Sequence, residues 1–528
     1  MENLNVIFGS LLVVVCLCDM WTVFARDLMM LQQNSYRNER YYRWFSNSGE
    51  STNMGRVCCC VALLFLLVNK LPFFAGAIIG TMVAVWQFIV LLRRKYKKSL
   101  VWTARARRIF YVMWILALIL AAVGFLLWGL KGCCMILLLL LMVSPVVLIG
   151  ANDILLPVEK HINKKYYNEA ASILSSMPGL KIIGITGSYG KTSTKHYLHR
   201  ILSEHFNTTM TPGSFNTTMG VIRTVREYLR PYDEVFIVEM GAKQTGDIKE
   251  ICDLVHPSVG IITAVGEQHL ESFKSIENVQ RTKFELADAI GKDGFVVLNN
   301  DFPYVASRDV SNTEAIRYGV NTADGTDFRA VDIEYSPSGT SFAIVGNGVS
   351  EPVVLQTKLV GECNVSNLLA AVIVALKLGV PTEKIKYAVS QLEQVEHRLN
   401  MKQTPAGITI IDDAFNSNPA GSKMALDVLA MMTGGKRIVI TPGMIELGDL
   451  QETANREFGR HIASSADVAI IVGQYNRGAI LAGIAGGPIK EENIHAVDSF
   501  TDAQALLQRI ASNGDTVLYE NDLPDTFN

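Results

Sequence analysis

Residues 181–194 read KIIGITGSYGKTST, and the interpretation of the whole chain starts from them. The apolar run from Lys181 to Ile185 predicts a buried strand, and residues 187–193 predict a glycine-rich turn. Residues 194–202 are suited to a helix that begins directly after the turn. A strand, a glycine turn and a helix N-terminus form an anion site, because the free backbone N–H groups and the helix dipole point at one position.

The turn also carries the side chains that an ATP phosphate site needs. Lys191 supplies a positive charge, and Thr192 or Ser193 supplies a hydroxyl group for Mg²⁺. The usual phosphate-loop pattern has a glycine at the position of Ile185, so an ordinary strand-to-helix turn is the alternative. The Gly-Lys-Thr-Ser run favours the phosphate site. Its predicted nucleotide-binding residues are Gly187, Ser188, Gly190, Lys191, Thr192 and Ser193.

The composition limits the class of protein. The chain has 528 residues, 49% of them hydrophobic, and a net charge of -2. We therefore expect about three structural units and no nucleic-acid partner. Seven of the nine cysteines lie in apolar runs, and the sequence has no Cys-x-x-Cys pair, which argues against a zinc site or a disulfide framework. A reducing, cytosolic setting fits this pattern.

Residues 1–150 predict a transmembrane module of about five α-helices. Val6–Phe24 is long enough to cross a bilayer, and no small-residue cleavage site of a signal peptide follows it. Residues 57–92 predict two passes joined by a turn at Lys70-Leu71-Pro72. A further pair of passes, joined around Lys131, is predicted over residues 110–150.

The positive charges predict how these passes are oriented. Eight Lys and Arg residues lie between Arg93 and Arg108 without an acidic residue among them, which is typical of a cytoplasmic loop. Five arginines between Arg26 and Arg56 place the first long loop on the same side. We therefore expect a multi-pass protein of the cell membrane, with everything after Gly150 in the cytoplasm.

Asp19 lies near the inner end of the first predicted pass. It is either a functional group or an interfacial residue whose carboxylate reaches water, and its depth favours the interfacial interpretation. A transporter is a weak alternative for the whole module, because the sequence has no proton-relay pattern or broken-helix repeat.

Residues 151–180 predict a polar, helix-prone linker, and an α/β domain is predicted over residues 181–395. Two further buried strands of this domain lead to Glu239 and His269. Parallel sheets place their chemistry at the carboxyl ends of neighbouring strands. Glu239 is therefore predicted to bind Mg²⁺, and His269 is a second ligand, an orienting group or a structural histidine.

A second α/β domain is predicted over residues 396–528, and Asp412 and Asp413 end its first strand. These paired acids either belong to the site or cap the following helix. In the first α/β domain, residues 211–220 predict a ligand loop, and residues 310–360 predict a small β excursion.

Taken in order, these motifs resemble the Mur ligase family, whose members use ATP to join an amino acid or peptide to a carboxylate. Within it they are most similar to the branch that adds D-alanyl-D-alanine to UDP-N-acetylmuramoyl tripeptide. The resemblance implies a P-loop central domain and a Rossmann-like C-terminal domain after the membrane module. It covers about residues 180–520 and is carried by residues 187–193, 213–220, 239–242, 269–271, 283–285, 364–367, 398–399, 412–419 and 442–448.

The resemblance implies a metal and phosphate role for five of these residues. Lys191 would hold the β- and γ-phosphates, and Thr192 and Glu239 would hold one Mg²⁺. His269 would hold a second Mg²⁺ together with Lys283, which the family carbamylates to give a carboxylate-like ligand.

The remaining implied residues contact the nucleotide from other directions. Asn299 and Asn364 would contact adenine. Arg398 and Asp413 would close over the γ-phosphate and the ribose from the C-terminal domain. The catalytic set implied by the resemblance is Lys191, His269, Lys283 and Arg398.

Three features depart from the family pattern. The membrane module stands where the family has a UDP-binding domain, so a lipid-linked precursor is an alternative to a soluble one. Cys363 and Asn455 replace histidines. Residues 519–525 are acidic where the D-alanyl-D-alanine branch has a Lys-Gly-Ser-Arg segment, which leaves the incoming amine undecided.

The resemblance therefore implies a membrane-anchored ligase of peptidoglycan precursor synthesis, with ATP and Mg²⁺ as cofactors and an amino acid or dipeptide as co-substrate. One alternative is a ligase for another lipid-linked or polymer carboxylate. Another is a membrane ATP-binding scaffold without activity, and the presence of every implied phosphate and metal residue argues against it.

Overall fold

The computed structural model describes residues 2–522, except residues 69–71, 95, 97, 337–338 and 415–416. The chain divides into two compact units, one within residues 1–164 and the other over residues 165–522. Several predicted features lie outside the described residues: Lys70 and Leu71 of the turn, Lys95 and Lys97 of the basic loop, Phe415 and Asn416 of the 412–419 motif, and residues 523–525 of the acidic segment.

The first unit is a bundle of apolar helices. In the described part of the chain, four helical stretches are long and apolar enough to cross a membrane: Glu2–Gln33, Glu50–Leu67, Phe73–Arg93 and Ala104–Met142. The helices are α1 (Glu2–Gln33), α2 (Asn38–Asn47), α3 (Met54–Leu67), α4 (Phe73–Arg93), α5 (Ala104–Met142) and α6 (Ser144–Ser175), with a 3₁₀ helix at Glu50–Thr52.

Helix α5 folds back on itself. Trp128 and Gly129 have non-helical backbone angles inside it, and a β-carbon at Gly132 would overlap the carbonyl oxygen of Gly124. A straight helix keeps residues eight apart about 12 Å from each other, so α5 is a helical hairpin. Its turn lies at Trp128–Gly129 and not around Lys131 as predicted, because Gly129 accommodates a φ of 61° without strain.

Helix α1 extends from one end of this bundle to the other. At one end, the N–H of Phe74 at the start of α4 donates to Oδ1 of Asn5 at 3.0 Å. At the other end, Nε2 of Gln32 donates to the carbonyl oxygen of Val101, just before α5, at 2.9 Å. The connection before α4 and the connection after it therefore lie at opposite ends of the bundle.

Asp19 is fully buried in the bundle. Its Oδ1 accepts a hydrogen bond from Oγ1 of Thr22 at 3.3 Å, and Oδ2 receives none from any described residue. An interfacial carboxylate would reach water, so the buried position disfavours that interpretation of the sequence.

The second unit contains two sheets, and the larger carries the 181–194 stretch. Its described strands are β1 (Lys181–Thr186), β2 (Thr208–Met210), β3 (Val235–Glu239), β4 (Val259–Ile262), β5 (Phe295–Asn299), β6 (Glu314–Gly319), β7 (Phe328–Ser336), β8 (Gly339–Gly346) and β9 (Val353–Thr357). Their order is β2-β3-β1-β4-β5-β6-β7-β8-β9. The chain passes from β1 to one side of the sheet and returns to the other side at β4. Such a switch point is where parallel sheets bind ligands.

The predicted β excursion at residues 310–360 is part of this sheet. Strand β6 pairs in parallel with β5, and β7, β8 and β9 extend the same edge. Short strands in a sequence do not reveal which neighbour they pair with, because that pairing is a tertiary contact.

The smaller sheet consists of β10 (Asn400–Gln403), β11 (Thr409–Asp413), β12 (Arg437–Thr441), β13 (Val468–Val472), β14 (Ile494–Val497) and β15 (Thr516–Glu520). Its order is β10-β11-β15-β12-β13-β14, and all neighbours are parallel except β10 and β11. The predicted fold class, a helical membrane-type module followed by two α/β domains, is confirmed.

Helices cover both sheets. They are α7 (Lys191–Leu202), α8 (Thr218–Glu227), α9 (Asp247–Val255), α10 (Leu270–Phe273), α11 (Ile276–Ala289), α12 (Pro303–Ala306), α13 (Glu362–Lys377), α14 (Thr382–Ser390), α15 (Pro419–Ala430), α16 (Gln451–Ser465), α17 (Arg477–Ile484) and α18 (Phe500–Ile510), with 3₁₀ helices at Gly448–Leu450 and Glu491–Asn493. The apolar side of α7 and most of α13 are buried in one core with β1, which fixes the start of α7 at the end of β1.

Candidate active site

The turn after β1 has the backbone that its glycines predict. Gly190 precedes α7 with a φ of 78°, and a β-carbon there would overlap the side-chain amide of Asn367. Only glycine fits this position without displacing Asn367. On the β4 side, the hydroxyl of Ser188 donates to the carbonyl of Gly266 at 3.0 Å and accepts from its N–H at 3.1 Å. These contacts hold the turn in shape without a ligand.

Lys191 begins α7 and directs its ammonium group back over the turn. Nζ donates to the carbonyl oxygens of Gly187 at 2.6 Å and Ser188 at 3.2 Å. Burial lowers the pKa of Lys191 to about 8, against the charge of Glu239, which raises it. A phosphate group beside Nζ would favour the charged ammonium and raise this pKa.

Glu239 ends β3 and faces the first turn of α7. Its Oε1 accepts hydrogen bonds from Oγ1 of Thr192 and Nδ2 of Asn216, both at 3.1 Å. Ser193 is buried within the first turn of α7. Of the two hydroxyl groups that the sequence supplies, that of Thr192 is the one that lies at the carboxylate.

Lys195 is a site residue that sequence reasoning missed. It is fully buried, its Nζ lies 3.0 Å from Oε2 of Glu239, and it donates to the carbonyl of Gly213 at 2.5 Å. The available signal was its spacing of four residues from Lys191, which puts both on one face of a helix. That spacing alone does not distinguish a buried lysine from an exposed one.

Thr192 and Glu239 fit a magnesium site that phosphate and water complete. Mg²⁺ prefers oxygen ligands and commonly takes only one or two from the protein. Oε2 of Glu239 is buried, and the partner it has among the described residues is the ammonium group of Lys195, with which it forms an ion pair. Among those residues no group of three or more His, Cys, Asp or Glu side chains is arranged to hold a metal.

His269 contacts a residue from beyond the larger sheet. Its Nδ1 is in contact with Oε2 of Glu446, and both residues have positive φ angles, of 53° and 63°. Burial lowers the pKa of His269, which favours the neutral imidazole. When Nδ1–H donates to Glu446, Nε2 keeps the lone pair that a metal requires. The geometry fits both a ligand and an orienting group.

Lys283 is buried on α11. Burial lowers the pKa of Lys283 well below its usual value, and the charge of Lys191 acts in the same direction. The neutral amine that this favours is the nucleophilic form of lysine. It is also the form that reacts with CO₂ to give a carbamate.

Arg398 and Asp413 lie close together where the chain enters the smaller sheet. Oδ1 of Asp413 accepts a hydrogen bond from the N–H of Leu399 at 3.1 Å. Burial lowers the pKa of Arg398, while the charges of Asp413 and Glu239 raise it. The guanidinium group is therefore within electrostatic reach of both carboxylates.

Asn299 and Asn364 form hydrogen bonds inside the protein. Nδ2 of Asn299 donates to the carbonyl of Thr263 at 2.9 Å, and Oδ1 of Asn364 accepts from the hydroxyl of Tyr197 at 2.7 Å. Both amides organise the walls around α7 and β4. Their contact with adenine stays a prediction.

Asn455 and Cys363 stand where the family pattern has histidines, and the structure shows what surrounds each of them. Asn455 is fully buried, accepts from the N–H of Met444 at 2.9 Å and donates to the carbonyl of Gln451 at 2.8 Å. It thus holds the turn that carries Glu446. Burial raises the pKa of Cys363 to about 12, which keeps its thiol neutral.

A cavity of about 700 Å³ opens beside Thr192. Its lining includes His196, His199 and Arg200 of α7 and the segment 391–398. This volume is in the range of small-molecule sites. Thr192 and Arg398 both line it, so the cavity borders the predicted phosphate site.

Two family models match the second unit of this chain. The Mur ligase middle domain matches residues 185–375, and the Mur ligase glutamate ligase domain matches residues 397–519. The two matches correspond to the regions of the larger and the smaller sheet.

Individual proteins agree with these models. The chain is 31% identical to UDP-N-acetylmuramoyl-tripeptide–D-alanyl-D-alanine ligase of Bacillus subtilis, over 65% of this chain and 73% of that protein. It is 28% identical to the ligase of that name from Escherichia coli, with the same coverage of both chains. A crystal structure of MurF from Acinetobacter baumannii superposes with a TM-score of 0.61 and 28% identity, over 68% of this chain and 77% of that one.

Proposed function

This chain belongs to the Mur ligase family, whose members are ATP-dependent ligases, and we propose that it joins an amino acid or dipeptide to a carboxylate of a peptidoglycan precursor at the cytoplasmic face of the cell membrane. Its relatives support a ligase of peptidoglycan precursors. The acyl phosphate route, the metal sites and the membrane face are parts of the proposal.

The convergence of Lys191, Thr192 and Glu239 at the carboxyl edge of the larger sheet carries this proposal. They combine a rigid anion-binding turn, a cation and a buried carboxylate with a neighbouring hydroxyl group. This set serves phosphoryl transfer, in which catalysis depends on positioning and charge stabilisation.

The proposed reaction has two steps. A carboxylate oxygen of the precursor attacks the γ-phosphorus of ATP, the bond from γ-phosphorus to the bridging oxygen breaks, and ADP leaves. The nitrogen of the incoming amine then attacks the carbonyl carbon of the acyl phosphate. The carbon–oxygen bond breaks, inorganic phosphate leaves, and the nitrogen loses a proton to give the amide.

The residues of the site divide this work. Lys191 neutralises the transferring phosphoryl group, and Arg398 approaches it from the smaller-sheet side. Thr192 and Glu239 would hold one Mg²⁺, and His269 and carbamylated Lys283 a second. When bound, the metal offsets the repulsion between the carboxylate and the phosphate.

Carbamylation of Lys283 requires CO₂ as its only co-reactant. The neutral amine nitrogen bonds to the carbon of CO₂ as one C=O π bond opens, and the nitrogen releases one proton, which turns a neutral amine into an anionic carbamate. Burial of Lys283 supports this step because it lowers the pKa of the amine. It would also give the site an oxygen ligand where the unmodified chain has an amine.

The apolar helices support action at a membrane. The basic residues before α5 and after α1 support a cytoplasmic side for the loops at that end of the bundle. A precursor that is itself lipid-linked would then be held at the surface where the catalytic residues work. A UDP-linked precursor and another lipid-linked or polymer carboxylate are the competing acceptors.

The test is ADP release by the full-length protein in detergent. UDP-linked and lipid-linked muropeptides are compared as acceptors, each with and without D-alanyl-D-alanine or single amino acids, and K191A serves as the inactive reference. We expect ADP release that requires both an acceptor and an amine. ADP release that no pair stimulates would contradict the proposal and favour an ATP-binding scaffold.

A further inference from the structure

Two carboxyl groups lie on neighbouring strands of the smaller sheet, where both strands end. Strands β11 and β15 are parallel and pair Asp413 with Glu520 in register. Glu520 is fully buried, and its Oε1 accepts a hydrogen bond from Oγ of Ser417 at 2.6 Å. Its Oε2 is also buried and receives no hydrogen bond from any donor among the described residues.

A proton shared between the two carboxyl groups would give Oε2 of Glu520 a hydrogen bond. Burial raises the pKa of Glu520 well above its usual value, and the charge of Asp413 raises it further. Burial also raises the pKa of Asp413, but Arg398 and the Leu399 N–H lower it. Glu520 is therefore the protonated member and Asp413 the anion.

The other titratable groups around the pair do not change this assignment. The charge of Asp412 raises the pKa of Asp413, and the thiol of Cys363 stays neutral. Arg398 is the cation that acts on both Asp413 and Glu520.

Asp413 anchors the segment that presents Arg398. His397 and Leu399 flank Arg398 with positive φ angles of 57° and 47°, which are strained for residues other than glycine. Such a backbone persists only where surrounding contacts hold it, and the bond from the Leu399 N–H to Asp413 is one of them. The position of Arg398 therefore depends on the carboxylate of Asp413.

We propose that Glu520 is a positioning residue for the phosphate site: as a neutral carboxylic acid it donates a hydrogen bond to Asp413, which then holds Leu399 and Arg398 in place. Ionised Glu520 would instead place a second negative charge in a buried space that contains one guanidinium group. The two carboxylates would repel each other, and the anchor of Arg398 would loosen. This role rests on the proposed function only in that Arg398 serves bound ATP.

The test compares the full-length wild type with E520Q and E520A between about pH 6 and about pH 9. ATP affinity is measured with a fluorescent ATP analogue, and kcat and KM for ATP are measured wherever an acceptor and amine turn over. Glutamine keeps a donor for Asp413 and an acceptor for Ser417 at every pH. Alanine removes both.

The direction of the pH effect follows from the raised pKa of Glu520. Below the ordinary pKa of a carboxyl group Glu520 is fully protonated, and its hydrogen bond contributes fully to stability. This contribution is lost as the pH rises through the raised pKa that Glu520 has in the folded protein. We expect wild-type ATP affinity and stability to fall at the alkaline end by more than the loss that Lys191, with its pKa of about 8, causes in both proteins, while E520Q stays active and shows the smaller loss. E520A should lose roughly tenfold to a hundredfold in kcat/KM for ATP.

Two results would overturn this role: an E520Q profile with the same alkaline loss as the wild type, or ATP affinity in E520A equal to that of the wild type. If E520A does not fold, the E520Q profile alone decides. Nucleotide binding needs no acceptor, so a failure of the ligase proposal would leave this test intact.

Discussion

The ammonium group of Lys195 lies 3.0 Å from Oε2 of Glu239, and both side chains are buried. Glu239 is thereby held by a cation on one oxygen and by two polar side chains on the other. A buried carboxylate with this support keeps its charge: burial raises the pKa of Glu239, but the charges of Lys195 and Lys191 outweigh burial and leave the pKa lowered. We therefore expect Lys195 to keep Glu239 ionised, which is the state that the proposed Mg²⁺ site requires.

Replacing Lys195 by methionine should destabilise the protein strongly, because it leaves the charge of Glu239 buried without its cation. Breaking such a pair costs about 3–5 kcal/mol. Thermal unfolding with and without ATP and Mg²⁺ measures the loss, and ADP release should fall with it. The double variant K195M/E239Q should recover most of the stability but none of the activity. A single variant as stable as the wild type would show that the pair contributes nothing.

The Gly190 position allows a matched pair of glycine substitutions. Gly190 and Gly348 have φ angles of 78° and 81°, but only at Gly190 would a β-carbon meet another group, the amide of Asn367. Both G190A and G348A should therefore cost about 1–2 kcal/mol in backbone strain. G190A alone should also weaken the binding of an ATP analogue, since it displaces the turn. Equal ATP affinity in the two variants would contradict the role of this turn.

Activity should depend on CO₂ if Lys283 acts as a carbamate. Enzyme prepared in CO₂-depleted buffer should lose ADP release, and added bicarbonate should restore it. K283A should be inactive and partly rescued by a small carboxylate such as acetate. K386A, at a half-buried lysine that lies outside the site, is the control. Activity that neither CO₂ depletion nor K283A changes would exclude the carbamate.

The parts of the fold that were predictable from sequence are those encoded locally. The strand predicted over Lys181–Ile185 is β1, which ends one residue later at Thr186. Strand β10, Asn400–Gln403, was missed because its residues are polar and its existence depends on antiparallel pairing with β11. The reversal in α5 was placed too late because Lys131 is the charged residue, whereas the turn requires the backbone of Gly129.

The site likewise contains residues that local sequence predicts and residues that only tertiary contacts bring together. Lys191 and Thr192 belong to one local motif, and Glu239 ends a recognisable strand, so all three were predictable. Glu446 meets His269 across 177 residues of sequence, and the burial of Lys195 depends on β3 and on the loop at Gly213. Glu520 was noticed only as part of an acidic terminus, because its pairing with Asp413 exists only once β15 lies beside β11.

The most direct test of the central claim follows oxygen from the acceptor. A precursor whose carboxylate carries isotopically heavy oxygen is incubated with the full-length protein, ATP, Mg²⁺ and the amine, and the inorganic phosphate is examined by mass spectrometry. Ligation through an acyl phosphate predicts one heavy oxygen in the phosphate for each amide bond formed. Unlabelled phosphate accompanying amide formation would contradict the acyl phosphate, and the absence of any amide would contradict the ligase assignment itself.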